Sequence, residues 1–289
     1  MKVLIAGAQG QLGQELQRLC PSRIDCLPVG RAELDITSRA GVLECVRELQ
    51  PQVIINTAAY TAVDGAEAKP DLAVEVNAEG TANLAMAAQC IGARVLHVST
   101  DFVFDGAADT PYPSDHETRP LGVYGHSKLA GENRLQQILP LDSVVVRTAW
   151  LYSALGENFV KTMLRLMSER EQLRVVADQV GAPTWARGLA AVLWQLLDYP
   201  AAHGIYHWTD NGSCSWYEFA CAIYAEGHKL GLLEREVQID AITTEDHPTP
   251  AQRPCYSVLD CKKIHNLLGI GGENWRPQLA AMLGELARP

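Results

Sequence analysis

The 289-residue sequence predicts an α/β fold, a doubly wound parallel sheet with a smaller, interleaved C-terminal lobe. Three observations carry that expectation. Short apolar runs alternate with helical periodicity through the first half, the pattern of a parallel sheet covered on both faces. The first run, Lys2–Ala6, passes directly into Gly7, Gly10 and Gly13, a glycine turn that opens a helix. From about residue 150 the rhythm loosens into helical stretches joined by proline- and glycine-bearing segments, with no clean linker. A dinucleotide-binding domain is therefore expected over 1–150. A mainly substrate-binding lobe is expected over 151–289, with some segments returning to the first domain.

In chain order, Leu12, Leu16 and Leu19 recur at helical spacing after the glycine turn. Glycines there permit a tight turn and close approach of backbone to a pyrophosphate, which sits on the helix N-terminus. Residues 24–29 read as a second strand running into Gly30 and Arg31, with no carboxylate until Glu33. An arginine at that point accommodates the 2′-phosphate of NADP, whereas an acid would accept the 2′-hydroxyl of NAD. NADPH is the expected cofactor and NADH remains possible, since Arg31 also reads as a solvated loop charge. Asp35, a further candidate at this end of the cofactor, precedes a helix marked by Val42, Leu43, Val46 and Leu49, with Thr37 or Ser38 as its cap. Residues 51–59 form the next buried strand. It ends on small residues, so Ala58, Ala59 and Thr61 are candidate cofactor contacts, with close packing as the alternative. A single long helix is expected over 71–90, a strand over 94–99, a helix over 122–138 and a strand from 143. Helices at 157–170, 185–198, 215–227 and 275–287 complete the expectation.

A net charge of -10 and a pI near 5.3 argue against nucleic acid or an anionic membrane as partner. The eight cysteines show no metal-ligand spacing and read as reduced, mostly structural thiols. The eight histidines are scattered without metal spacing. With a strand starting at Lys2 and no apolar run of spanning length, a cytoplasmic protein is expected.

The chemistry is expected at 100–128. Tyr124 and Lys128 are four apart, which on a helix puts a phenol and an ammonium on one face. A cation beside the phenol favours phenolate and should lower its proton affinity, giving an acid for a developing alkoxide. Thr100 sits at the end of the 94–99 strand, where α/β sheets place their ligands.

With GAQGQLG (7–13), NTAAYTAVD (56–64), STDFVF (99–104), YGHSK (124–128) and GAPT (181–184) in order, the chain resembles the extended short-chain dehydrogenase/reductase superfamily. Within it, the chain is most similar to the dTDP-4-dehydrorhamnose reductase family, over residues 1 to about 286. The resemblance implies a Rossmann-like fold and reduction of a dTDP-4-keto-deoxysugar by NAD(P)H. Tyr124 would be the proton donor, Lys128 would bind the nicotinamide ribose and Thr100 would bond the same sugar oxygen. Gly10, Gln11 and Leu12 would meet the pyrophosphate, and Ala59, Tyr60, Thr61 and Val98 would line the cofactor's path. Asp101 and Trp150 would contact the deoxyhexose, the indole lying on the apolar face of the sugar. Arg253 is the candidate for the dTDP phosphates, with a surface salt bridge as the alternative.

Some members of the family bind magnesium at a dimer interface through three glutamates. Here Glu15 and Glu285 match two of those positions and Arg187 takes the third, so no such magnesium is expected, and a monomer or weak homodimer. Dehydratases of the fold carry an Asp-Glu pair after the threonine, but here Phe102 follows Asp101. Epimerase-reductases carry a cysteine where Asp101 stands. A non-catalytic, NADP-binding regulatory subunit is the remaining alternative.

Overall fold

The computed structural model describes residues 1–287. Eight strands matter for the site: β1 (Lys2–Ala6), β2 (Asp25–Val29), β3 (Val53–Asn56), β4 (Arg94–Thr100), β5 (Ser143–Thr148), β6 (Gln172–Val176), β7 (Gly204–His207) and β8 (Gln238–Ile242). The helices are α1 (Gln11–Arg18), α2 (Arg39–Leu49), α3 (Val63–Ala68), α4 (Gly80–Ile91), α5 (Val123–Ile138), α6 (Phe159–Glu169), α7 (Ala186–Gln195), α8 (Trp216–Lys229), α9 (Lys262–Leu268) and α10 (Trp275–Leu286).

The main sheet has the order β7-β5-β4-β3-β1-β2, and every pairing in it is parallel. Its strands are apolar on both faces because both are covered. On one face Val3, Ile5 and Val144 pack with Leu12 and Leu16 of α1, Leu189 and Leu193 of α7, and Ile264 of α9. On the other, Leu4, Ile54 and Val145 pack with Val42 and Val46 of α2, Leu84 and Ala88 of α4, and Leu135 of α5. Strand order reverses between β1 and β3, and that switch point is where such sheets open a ligand crevice. A third cluster builds the other lobe from α6, α8 and α10 against the parallel pair β6 and β8, with Met163, Phe219, Ile223 and Leu279 at its centre.

Several local expectations need correction. The helix expected over 71–90 is three pieces: Pro70–Val74, a π-turn at Glu75–Glu79, and α4. The widened turn turns buried Asn77 toward its neighbours, accepting from Tyr60 N at 2.8 Å and donating to Ser127 Oγ at 2.9 Å. The strand expected over 51–59 covers only Val53–Asn56, because Thr57 to Ala59 peel away to line the groove. Strands β6, β7 and β8 were not foreseen, and β7 adds a second-half segment to the edge of the main sheet. Ser38, not Thr37, caps α2, accepting from Gly41 N at 3.3 Å.

Candidate active site

Two cavities lie side by side at the C-terminal ends of the main-sheet strands. One, of about 270 Å³, is lined by Gly7, Gln9, Gly10, Gly30, Arg31, Asp35, Ala58, Ala59 and Tyr60 among others. The second, of about 650 Å³, is lined by Gly10, Gln11, Leu12, Gly13, Thr61, Val98, Thr100, Asp101, Tyr124, Lys128, Trp150, Trp216 and Arg253 among others. They share Gln9, Gly10, Thr57 and Ala59, so they are one groove. Every cofactor and substrate residue expected from sequence therefore reaches its wall.

The glycine turn is shaped by close contacts. Gly7 has φ +85°, and a Cβ there would fall 2.6 Å from Ala58 N. A Cβ on Gly13 would fall 2.4 Å from Gly7 O. Any side chain at these two positions would push the turn off the sheet. Asp35 accepts from Thr37 N at 3.0 Å and Thr37 Oγ1 at 2.8 Å, bonds that hold its carboxyl below the usual range. It thus ties down the loop that ends the small cavity.

Tyr124 and Lys128 enter from the first turns of α5. That helix starts at Gly122, which has no capping side chain. Glu67 of α3 serves instead, its Oε1 accepting from Val123 N at 2.8 Å. Ser127 Oγ donates to Tyr124 O at 2.8 Å and accepts from Asn77, which locks the turn carrying the phenol. Lys128 is buried, and its Nζ donates to Val98 O at 2.7 Å.

The electrostatics differ from the sequence expectation. Burial pushes the Tyr124 phenol up to about 12; the Thr100 hydroxyl within bonding reach opposes this and Asp101 adds to it. The ammonium does not dominate, because burial also pulls Lys128 down to about 8, against the influence of Glu132. Without further partners, then, the phenol is held firmly protonated. Thr100 Oγ1 accepts from Phe102 N at 3.2 Å and donates to Asp101 Oδ1 at 3.0 Å. Asp101 is 2% exposed and its Oδ2 has no hydrogen-bond partner among the described residues. Burial raises its carboxyl to about 6, with Ser257 and Thr100 pulling the other way.

Trp150 lines the cleft in an unusual backbone conformation. Its φ is +46°, strained for a bulky residue. Trp216 stacks on it with centroids 3.4 Å apart and planes 8° apart. A Cβ on Gly181 would lie 2.5 Å from Cε2 and 2.6 Å from Nε1, so that backbone lies close against the indole as well. Trp216 and the Gly181 backbone thus both lie close to the indole, which lines the cleft. Trp216 also lines the cleft, and only the tertiary stack reveals that. Gln9 was also missed, although its place inside the glycine turn could have marked it.

Arg253 reaches the cleft wall with its guanidinium already forked onto Asp64 of α3, at 2.8 and 3.1 Å. The salt bridge weighed as the alternative is thus present, at a residue that also lines the cleft.

The comparisons with known proteins match this geometry. The family model described as RmlD substrate binding domain matches residues 1–288. The chain belongs to this family. A relative from Aggregatibacter actinomycetemcomitans named dTDP-4-dehydrorhamnose reductase is 43% identical, over 96% of this chain and 97% of that one. A crystal structure of a dTDP-4-dehydrorhamnose reductase from Clostridium acetobutylicum superposes with a TM-score of 0.93 at 41% identity, covering 100% of both chains. One from Bacillus anthracis, in complex with NADP, gives 0.92 at 39%, covering 98% and 99%.

Within the RmlD family, the carboxylates of Glu15 and Glu285 here flank a guanidinium. Arg187 Nε lies 3.8 Å from Glu15 Oε2, and Nη1 pairs with Glu285 Oε1. Arg18 adds contacts of 3.7 Å to Glu15 and 3.2 Å to Glu285. Fully buried Glu15 also accepts from Ser153 Oγ at 2.6 Å. Among the described residues no helix is long and apolar enough to cross a membrane.

Proposed function

We infer that this chain is an NADPH-dependent oxidoreductase that reduces the 4-keto group of dTDP-4-dehydro-L-rhamnose to dTDP-L-rhamnose, in dTDP-rhamnose biosynthesis. The observation that carries the reading is the convergence of Thr100, Tyr124 and Lys128 on one cleft, continuous with the glycine-turn groove. The groove fits a dinucleotide: a short glycine turn at a helix N-terminus for the diphosphate, small Ala58 and Ala59 beside it, and exposed Arg31 at the far end for a 2′-phosphate. Residues 1–150 would hold the cofactor and 151–289 mainly the sugar nucleotide. NADPH, when bound, supplies the hydride for the sugar's C4.

The chain's own residues do the rest. Tyr124, protonated up to about 12, stays a hydrogen-bond donor to the ketone oxygen throughout the physiological range and delivers its proton as negative charge develops there. The Thr100 hydroxyl, which now donates to Asp101 Oδ1, bonds the same oxygen. Lys128 binds the nicotinamide ribose and favours the phenolate that proton delivery leaves behind. The unpartnered Asp101 oxygen takes a sugar hydroxyl, and Trp150 contacts the deoxyhexose. Arg253 holds the dTDP phosphates when its fork exchanges from Asp64.

Reduction rather than elimination is supported by Phe102, which packs edge-on against Tyr124 with centroids 5.5 Å apart where a dehydratase would need a base. Eight free thiols support a cytoplasmic setting. Arg187, filling the space between Glu15 and Glu285, supports a monomer or weak homodimer without magnesium there.

The test is absorbance of the reduced cofactor on mixing protein, NADPH and dTDP-4-dehydro-L-rhamnose. Stoichiometric oxidation is expected, and Tyr124→Phe should lose turnover by about 10²–10⁴-fold while binding NADPH nearly as before. No oxidation by the folded native protein would favour a regulatory NADP-binding subunit, and near-normal turnover in the variant would remove the assigned acid.

A further inference from the structure

On its buried side Lys128 meets a chain of hydrogen bonds whose directions are all determined. Ala58 N donates to Asn56 Oδ1 at 3.1 Å, so Nδ2 of that amide is the atom facing Thr81 Oγ1 at 3.4 Å and His97 Nδ1 at 3.0 Å. Thr81 spends its hydrogen on Asn77 O at 2.8 Å and offers Asn56 only lone pairs. Asn56 therefore donates both amide hydrogens, and His97 Nδ1 must accept. A neutral imidazole that accepts at Nδ1 carries its hydrogen on Nε2. A cationic ring would have to donate into an NH2 group, and burial together with Lys128 holds the fully buried ring well below its usual proton affinity.

His97 Nε2 lies 3.3 Å from Lys128 Nζ. An ammonium has no lone pair and cannot accept that N–H; only the amine can. The bond from Nζ to Val98 O suits either form.

We propose that His97 is a positioning residue for Lys128: oriented by Asn56 as the Nε2–H tautomer, it donates toward Nζ, opposes the ammonium and makes Lys128 a readier proton donor. The other groups around Nζ are Tyr124 and Glu132 on its own helix, Asp101 after β4, and Arg147 on β5, which is paired with Glu132. Glu132 favours the ammonium and burial opposes it; the N–H of His97 Nε2, 3.3 Å from Nζ, adds to the opposition. In turnover, a loosely held proton passes more readily to the Tyr124 phenolate left after the sugar oxygen is protonated. This last step depends on the reductase reading; the titration does not.

The test is lysine 13C-NMR on the whole protein, with Lys128 assigned by the signal missing from Lys128→Met, and imidazole 15N shifts for His97. Lys128 should titrate well below the ordinary lysine range, with His97 as the Nε2–H tautomer. His97→Leu should raise the Lys128 titration by about one pH unit, roughly tenfold in proton affinity. Asn56→Asp keeps the shape but turns the donor facing Nδ1 into an acceptor, reverses the tautomer and raises it too, which covers the case where the leucine variant does not fold. The alkaline limb of kcat should move up by the same amount with KM for NADPH unchanged, whereas a purely structural role would lower kcat at every pH. An Nδ1–H tautomer in the native protein, or an unmoved Lys128 titration in either folded variant, overturns the proposal. A moved titration in a protein without turnover would leave it standing and remove the reductase reading instead.

Discussion

Removing the carboxylate of Glu132 should cost more stability than removal of an average buried side chain. Glu132 on α5 and Arg147 on β5 are 1% and 2% exposed and joined by contacts of 3.0, 3.2 and 2.6 Å. They pin the helix carrying Tyr124 and Lys128 to the sheet beside it. Among the described residues Arg147 Nη1 already lacks a partner, and the remaining compensation is the Phe104 ring, 5.2 Å from the guanidinium carbon. Glu132→Ala leaves a buried cation uncompensated, at about 3–5 kcal/mol, a large part of a total stability of roughly 5–15 kcal/mol. Replacing both partners by apolar groups, Glu132→Leu with Arg147→Met, avoids that charge and should restore most of the loss. Urea unfolding at pH 7 measures both. Because Glu132 favours the Lys128 ammonium, the single variant should also lower Lys128 further below about 8 and draw the alkaline limb of turnover to lower pH. A single variant costing less than about 1 kcal/mol, or a double variant as damaged as the single, would refute the reasoning.

Other consequences are equally direct. Arg31→Ala should weaken NADPH binding about tenfold, some 1.4 kcal/mol, and leave NADH nearly unaffected; equal losses for both in fluorescence titration would deny Arg31 the 2′-phosphate. Burial raises Asp210 from its ordinary 3.8 to about 7, against the bond from Trp185 N at 2.9 Å, so the native state holds this proton more tightly than the unfolded one. The stability that gives is complete below about 3.8 and lost as pH rises through 7. Asp210→Asn should therefore stabilise at pH 8, on the order of 2 kcal/mol, and barely change stability at pH 4; a gain of equal size at both pH values would contradict this. EDTA should leave melting temperature and turnover unchanged, while Arg187→Ala, which strips a cation from buried Glu15, should destabilise by about 1–3 kcal/mol. A melting temperature that falls on chelation would show a structural metal.

Much of the site was legible because it is local. Strand, glycine turn and helix follow one another within residues 2–18, and the Tyr124–Lys128 spacing lies within one helix. What failed was non-local. The π-turn at Glu75–Glu79 leaves no periodicity signal in so short a stretch, and β7 reads as a strand only beside β5. The stack on Trp150 depends on Trp216, a residue 66 positions away.

The sequence by itself determined the parallel sheet, the glycine turn that opens α1 and the placing of Tyr124 and Lys128 one turn apart on a helix. Apolar periodicity, glycine sterics and helical spacing act over a few residues and are written in the chain. Only the tertiary structure decided the protonation of those groups. Burial raised Tyr124 and lowered Lys128, Glu67 reached across 56 positions to cap their helix, and Asn56 set the face His97 turns to the amine. Desolvation and hydrogen-bond direction depend on what surrounds a group in space, and no window of sequence contains that.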